Sequence, residues 1–140
     1  RKGCPHCAVN LEEAKNSGFV SEEMEGDLHN IAKEEFINNI RLTNPDECKL
    51  CNEQGISGRE VVAECLIPDS SIMRMIRDND KEGALEYWMD DMAGLTILEH
   101  AIQKMVKGIC DPRDLEERVG GLGDFNLNRR DVVFSPEFME

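Results

Sequence analysis

Two C-x-x-C pairs, Cys4-Pro5-His6-Cys7 and Cys48-Lys49-Leu50-Cys51, constrain this chain more than any other feature. Two intervening residues let the backbone turn so that both sulfurs of a pair face one point. Four thiolates can then meet at one tetrahedral ion, with Zn–S bonds of about 2.3 Å. A single pair could equally be a redox dithiol, two disulfides could staple a secreted domain, and the cysteines could be unrelated core residues. Two pairs in one short chain favour metal, and the reading is a structural zinc site with Cys4, Cys7, Cys48 and Cys51 as ligands. Iron in a rubredoxin-like site would use the same spacing. His6, inside the first knuckle, could replace a cysteine as ligand or hydrogen-bond a sulfur, and the second role is favoured. Four thiolates leave no open coordination position, so the ion should hold structure and not catalyse.

The remaining composition narrows the class. At 140 residues the chain can build one domain with a real core. No apolar run reaches the roughly twenty residues of a membrane helix, and no signal segment stands at the start, so no membrane insertion is expected. Six cysteines, four of them in metal-like spacing, suit a reducing cytoplasm. Cys65 and Cys110 sit alone among apolar neighbours and read as buried small hydrophobes. A formal charge of −13 argues against nucleic acid, whose phosphates need a basic face, and against an anionic lipid surface. A protein partner with a basic patch remains compatible. The abrupt start at Arg1, with a ligand almost at the end, suggests a segment cut from a longer protein.

Along the chain, residues 8–20 read as a helical turn and a loop. Met24, Leu28, Ile31, Phe36 and Ile40 then recur at helical spacing until Asn44-Pro45, predicting one helix between the knuckles. Its acids, Glu22, Glu23, Glu25, Glu34 and Glu35, read as a solvated face. After the turn residues Gly55 to Arg59, Val61 to Ile67 reads as a mostly buried strand. Pro68-Asp69 opens a helix with Ile72, Met73 and Ile76 on one side. Asp80 caps the next, where Leu85, Trp88, Met89 and Met92 read as core. Thr96-Ile97-Leu98-Glu99 is a capping box, and Gly108 stops the helix it opens. Asp111-Pro112 starts another short helix. The expected fold is mainly α with a short β segment: a helical domain with a Zn–Cys4 knuckle subdomain. Residues 1–58 form the zinc-binding part, 59–123 a strand followed by helices, and 124–140 a flexible tail or docking strand with scattered Phe125, Phe134 and Phe138.

The order of these pieces resembles the C-terminal region of the type II secretion and type IV pilus assembly ATPases, the GspE/PilB-like traffic ATPases. The likeness runs over roughly residues 1–119. It rests on Cys4-Pro5-His6-Cys7, Cys48-x-x-Cys51, Gly55 with Gly58-Arg59, the acid Glu64, and the run from Asp91 through Lys107-Gly108-Ile109 to Glu117. Val61 departs from the small residue usual after the Gly-Arg pair, the forty residues between the cysteine pairs are a longer spacing than usual, and the stretch after Gly123 has no counterpart. The resemblance implies the zinc-stabilised C-terminal domain of a hexameric motor. ATP and Mg²⁺ would belong only to the full-length protein, which would work at the cytoplasmic face of the bacterial inner membrane. The implied partners are an inner-membrane platform or assembly protein and further copies of the chain. Arg59 is the candidate contact to a subunit or partner; otherwise it caps a carbonyl in its turn.

No stretch reads G-x-x-x-x-G-K-[ST], and Gly120, Gly121 and Gly123 lack the lysine and helix start of a phosphate cradle. No catalytic constellation can be built either, since His29 and His100 read as surface or satisfied polar residues. The segment alone is therefore expected to hydrolyse nothing. The rivals are a freestanding zinc-binding interaction module and a dithiol oxidoreductase using Cys4 and Cys7.

Overall fold

A computed structural model describes residues 1–139 of the chain; residue 140, the last of the tail, lies outside the described residues, as does the side chain of Phe138. The fold is mainly helical with a few very short strands. The strands belong to the cysteine pairs. β1 (Lys2–Gly3) and β2 (Ala8–Val9) flank the first knuckle, and β3 (Leu42–Thr43) and β4 (Ile56–Gly58) flank the second. They pair crosswise and antiparallel, β1 with β4 and β2 with β3, so the knuckles are the two tips of one small ribbon. Ladders this short do not hold themselves. Backbone bonds between the arms extend them, Cys4 N–H to the Gly55 carbonyl at 2.9 Å and Asn44 N–H to that of Cys7 at 2.8 Å.

The segment between the knuckles is not one helix. α1 (Leu11–Asn16) is capped by Asn10, α2 (Glu22–Ile31) by Ser21, and α3 (Glu34–Ile37) follows a break where Ala32 and Lys33 have extended backbone. Periodicity explains the break. In an unbroken helix Ile40 would lie about 180° around from Ile31, nine residues at about 100° each. The kink turns both inward, and Leu28, Ile31, Ile40 and Leu42 are all buried. The acids of α2 and α3 point largely to solvent, with Glu25 half-buried beside Lys15 at 2.7 Å.

The expected strand at 61–67 does not form. Residues 59–69 carry no ladder, and Val61 and Ile67 are 75% and 78% exposed. No other strand lies alongside among the described residues, so side chains satisfy part of this backbone. His100 Nδ1 accepts from Ala63 N–H at 3.1 Å, and Trp88 Nε1 donates to the Cys65 carbonyl at 3.0 Å. Cys65 is consequently exposed, contrary to the expectation, whereas Cys110 is buried.

α4 (Ser70–Arg77) and α5 (Lys81–Asp90) form a hairpin capped by Asp69 and Asp80. The apolar stripe read as core on α5 is only partly so. Trp88 is buried, Met89 and Met92 are half-buried, and Leu85 is 53% exposed. The two helices pack mainly on each other, so their outer apolar residues line an open groove instead.

α6 (Ile97–Val106) carries the complete capping box, with Thr96 and Glu99 bonding reciprocally. It ends at Gly108, whose φ of 76° suits only glycine well. α7 (Pro112–Arg118) is capped by Asp111. Residues 124–139, expected as part of a flexible tail or docking strand, are folded. Turns at Leu122–Asp124 and Leu127–Arg129 lead to α8 (Arg130–Val133) and α9 (Pro136–Met139). Phe125, Val133 and Phe134 are buried, and Phe134 stacks on Phe36 with centroids 5.5 Å apart. Three apolar residues are enough to dock this polar stretch, because Phe125, Val133 and Phe134 each fill a place in the core. That core joins α1, α2, α6, α7 and the C-terminal turns into one cluster.

Candidate metal centre

The ribbon brings its four predicted ligands together. The sulfurs of Cys4, Cys7, Cys48 and Cys51 lie within 4.8 Å of one another, and none is in a disulfide. A tetrahedron with about 2.3 Å bonds needs sulfurs about 3.8 Å apart. Cys7 and Cys51, one from each knuckle, stand at 3.9 Å. Cys4 and Cys51 are buried, and Cys7 and Cys48 half-buried.

Local backbone explains the placing. Pro45 accepts from Cys48 N–H at 3.0 Å, and Cys48 from Glu53 N–H at 2.9 Å, closing the second knuckle. Glu47, Asn52 and Glu53 have positive φ there, the tight turning that carries both sulfurs inward. Gly55, at φ 70°, donates its N–H to Cys51 Sγ at 3.3 Å. A Cβ on Gly55 would meet the Thr43 hydroxyl at 2.8 Å, so glycine also lets the two arms close.

The metal-free thiols do not share their protons evenly. Burial, helped by the sulfurs of Cys4 and Cys51, pushes Cys7 up to about 12. Burial also works to raise Cys51, but the Gly55 N–H and the neighbouring sulfurs outweigh it and bring Cys51 down to about 7. Four clustered thiols, one readily ionised and one resisting, are chemically suited to losing their protons together to a thiophilic ion. The arrangement can hold a metal ion, and its all-sulfur donor set closes the coordination sphere against substrate.

His6 is exposed and stands outside the sulfur cluster. Arg59 is exposed just beyond Gly58 and makes no hydrogen bond or ion pair among the described residues, so it caps no carbonyl. His29 is exposed near Glu25, and His100 is satisfied by the backbone of Ala63.

Sequence reasoning missed the joint between ribbon and helical body. Asp111, read only as the start of α7, is buried and accepts five hydrogen bonds. Thr43 gives its N–H at 2.8 Å and its hydroxyl at 3.2 Å, and Arg113 gives its N–H, Nε and Nη2. Arg113 Nη2 also donates to the Thr43 carbonyl at 2.6 Å, and its guanidinium lies over the Phe19 ring. One carboxylate thus fixes β3 to α7, next to the knuckles. The only advance sign was an Asp before Pro112 with an Arg two residues on.

No curated protein matches the chain. A family model does, over residues 1–119, the same stretch that carries the cysteine ribbon, the capping box and α7. Matched over most of its length, with the four sulfurs gathered as such a zinc segment requires, the chain belongs to the type II/IV secretion system protein family.

Proposed function

We propose that this chain is the zinc-stabilised C-terminal domain of a secretion or type IV pilus assembly ATPase and contributes to assembly or docking of the motor. The observation that carries the proposal is the four-sulfur ribbon within a chain of this family. Zinc is the ion of choice, because closed tetrahedral thiolate sites are its commonest structural use. Its role is to tie residues 4–7 to 48–51 across the helices between, leaving a rigid, strongly acidic body. Such a body suits a basic surface on an inner-membrane platform protein, or a neighbouring copy in a hexamer, with Arg59 at the contact. Among the described residues no helix is long and apolar enough to cross a membrane. The place proposed for the chain, on the membrane's cytoplasmic face, is held through such a partner. ATP and Mg²⁺ belong to the motor that the full-length protein would carry.

Two measurements test this. Elemental analysis of the purified chain should find about one zinc, lost in Cys48→Ser. Reading the coding sequence upstream of Arg1 should find a phosphate-binding G-x-x-x-x-G-K-[ST] motif. A start codon directly before Arg1 would instead make the chain a freestanding zinc-binding module. Metal-free thiols that cycle against a dithiol reductant would make it an oxidoreductase.

A further inference from the structure

Residues 61–67 have the composition of a strand and no strand beside them, and their two edges differ. Ala63 turns both its N–H and its carbonyl to His100 Nδ1, at 3.1 and 3.2 Å, and the Cys65 carbonyl takes the indole N–H of Trp88 at 3.0 Å. In an extended chain, residues two apart direct their backbone groups to the same edge. The edge of Ala63 and Cys65 therefore rests on α5 and α6. The N–H and C=O groups of Val62, Glu64 and Leu66 belong to the other edge, and none of them has a hydrogen-bond partner among the described residues.

The side chains alternate as on a strand. Ala63, Cys65 and Ile67 line one cleft, of about 530 Å³, together with Met92 and Leu95. Glu64 and Leu66 line another, of about 460 Å³, together with Ile76 and Leu85. Apolar side chains on both faces characterise a strand inside a sheet, covered above and below. Here Leu66, Ile67, Ile76 and Leu85 are instead exposed.

A row of unpaired amides and carbonyls selects another extended backbone as its partner. A second copy of this chain fits poorly. A two-fold, antiparallel pair centred on residues 61–67 would set Glu64 against Glu64, and like charges directly opposite destabilise a ladder. The surroundings add to that repulsion, since residues 61–95 carry eight carboxylates against three cations. An opposing lysine or arginine turns both effects into attraction. We propose that Val62, Glu64 and Leu66 pair with an extended strand of a different protein, apolar on its faces and carrying a lysine or arginine across from Glu64. Among the described residues only Oε1 of Glu64 is engaged, by Ile97 N–H at 3.1 Å, which leaves Oε2 for that cation. The proposal does not rest on the secretion reading.

The test is a titration of the metal-loaded chain with synthetic heptapeptides, followed by backbone amide shifts and hydrogen exchange. The probe alternates valine and threonine around a central lysine. One control carries a central glutamate, and the other is the lysine peptide N-methylated at every residue, which removes its backbone donors. The lysine peptide should give saturable shifts at Val62, Glu64 and Leu66 and slow the exchange of those amides. It should bind about fivefold more tightly than the glutamate peptide, and the methylated one should not bind. Glu64→Gln should erase the preference for lysine. Leu66→Pro, which deletes a donor of the free edge, should weaken binding while the metal content stays. No saturable binding of the lysine peptide, equal binding of either control, or protection confined to Ala63 and Cys65 would overturn the proposal. So would shifts at residues 62–66 that grow with protein concentration alone, which would assign this edge to a second copy.

Discussion

Single buried polar side chains carry much of this fold. Arg129 is buried against Glu99, with Nε to Oε2 at 2.6 Å, and it also donates to the carbonyls of Met89 and Gly94. Glu99 meanwhile caps the backbone of Thr96, so one carboxylate serves the start of α6 and the docking of the C-terminal turns. Removing the cation leaves Glu99 charged, buried and without its ion partner. Arg129→Met should therefore cost about 3–5 kcal/mol in the urea unfolding of the metal-loaded chain. A Glu99→Met/Arg129→Met double variant should recover part of that loss. A cost under about 1 kcal/mol for the single change would mean that the pair is solvated. Of these two residues only Glu99 was legible beforehand, because a capping box is spelled within four consecutive residues. Arg129 lies thirty residues away in a polar stretch, and nothing in its neighbours marks it as the partner.

Secondary elements were readable wherever their own residues determine them. The caps of α4, α5, α6 and α7 stand where Asp69, Asp80, Thr96 and Asp111 place them. Elements that depend on a neighbour were not readable. The apolar run at 61–67 has strand composition, yet a strand needs another backbone beside it, and here the chain is held by His100 and Trp88 instead. Likewise the apolar spacing from Met24 to Ile40 fits a helix, but only the kink at Ala32 and Lys33 puts its last members in the core. Trp88 also depends on a close approach. A Cβ added to Gly94 would meet its indole at 2.2 Å, and the ring is pinned by its bond to the Cys65 carbonyl. Gly94→Ala should thus destabilise by about 1–3 kcal/mol and shift the emission of Trp88, the chain's one tryptophan. Unchanged emission and stability would show that the indole has room to move.

The molecule as a whole is a ribbon and a helical body sharing one core, since Leu42 of β3 is buried in the same cluster as α6 and the C-terminal turns. Metal removal should therefore propagate. With a chelator, the β1–β4 and β2–β3 amides should lose hydrogen-exchange protection first, because two- and three-residue strands have little else to hold them. Protection around Leu42 and Asp111 should fall next, and α6 should resist longest. Exchange that stays unchanged while the four thiols become reactive would mean that the ribbon is held by its joint to α7 and not by the ion. Acid should act in the same direction as the chelator, since protons compete with the metal for thiolates.

The order of these pieces along the chain already carried the two cysteine pairs that the fold gathers, the mainly helical class, the helix caps and the family. Each of those signals lies within a turn or two of backbone, where residue type and spacing decide the geometry. The Thr43–Asp111–Arg113 joint, the Glu99–Arg129 pair and the packed C-terminal turns came only from the folded chain. They unite residues 30 to 98 positions apart, and a side chain's partner at that distance is chosen by how whole elements pack. Local chemistry carries no record of that choice.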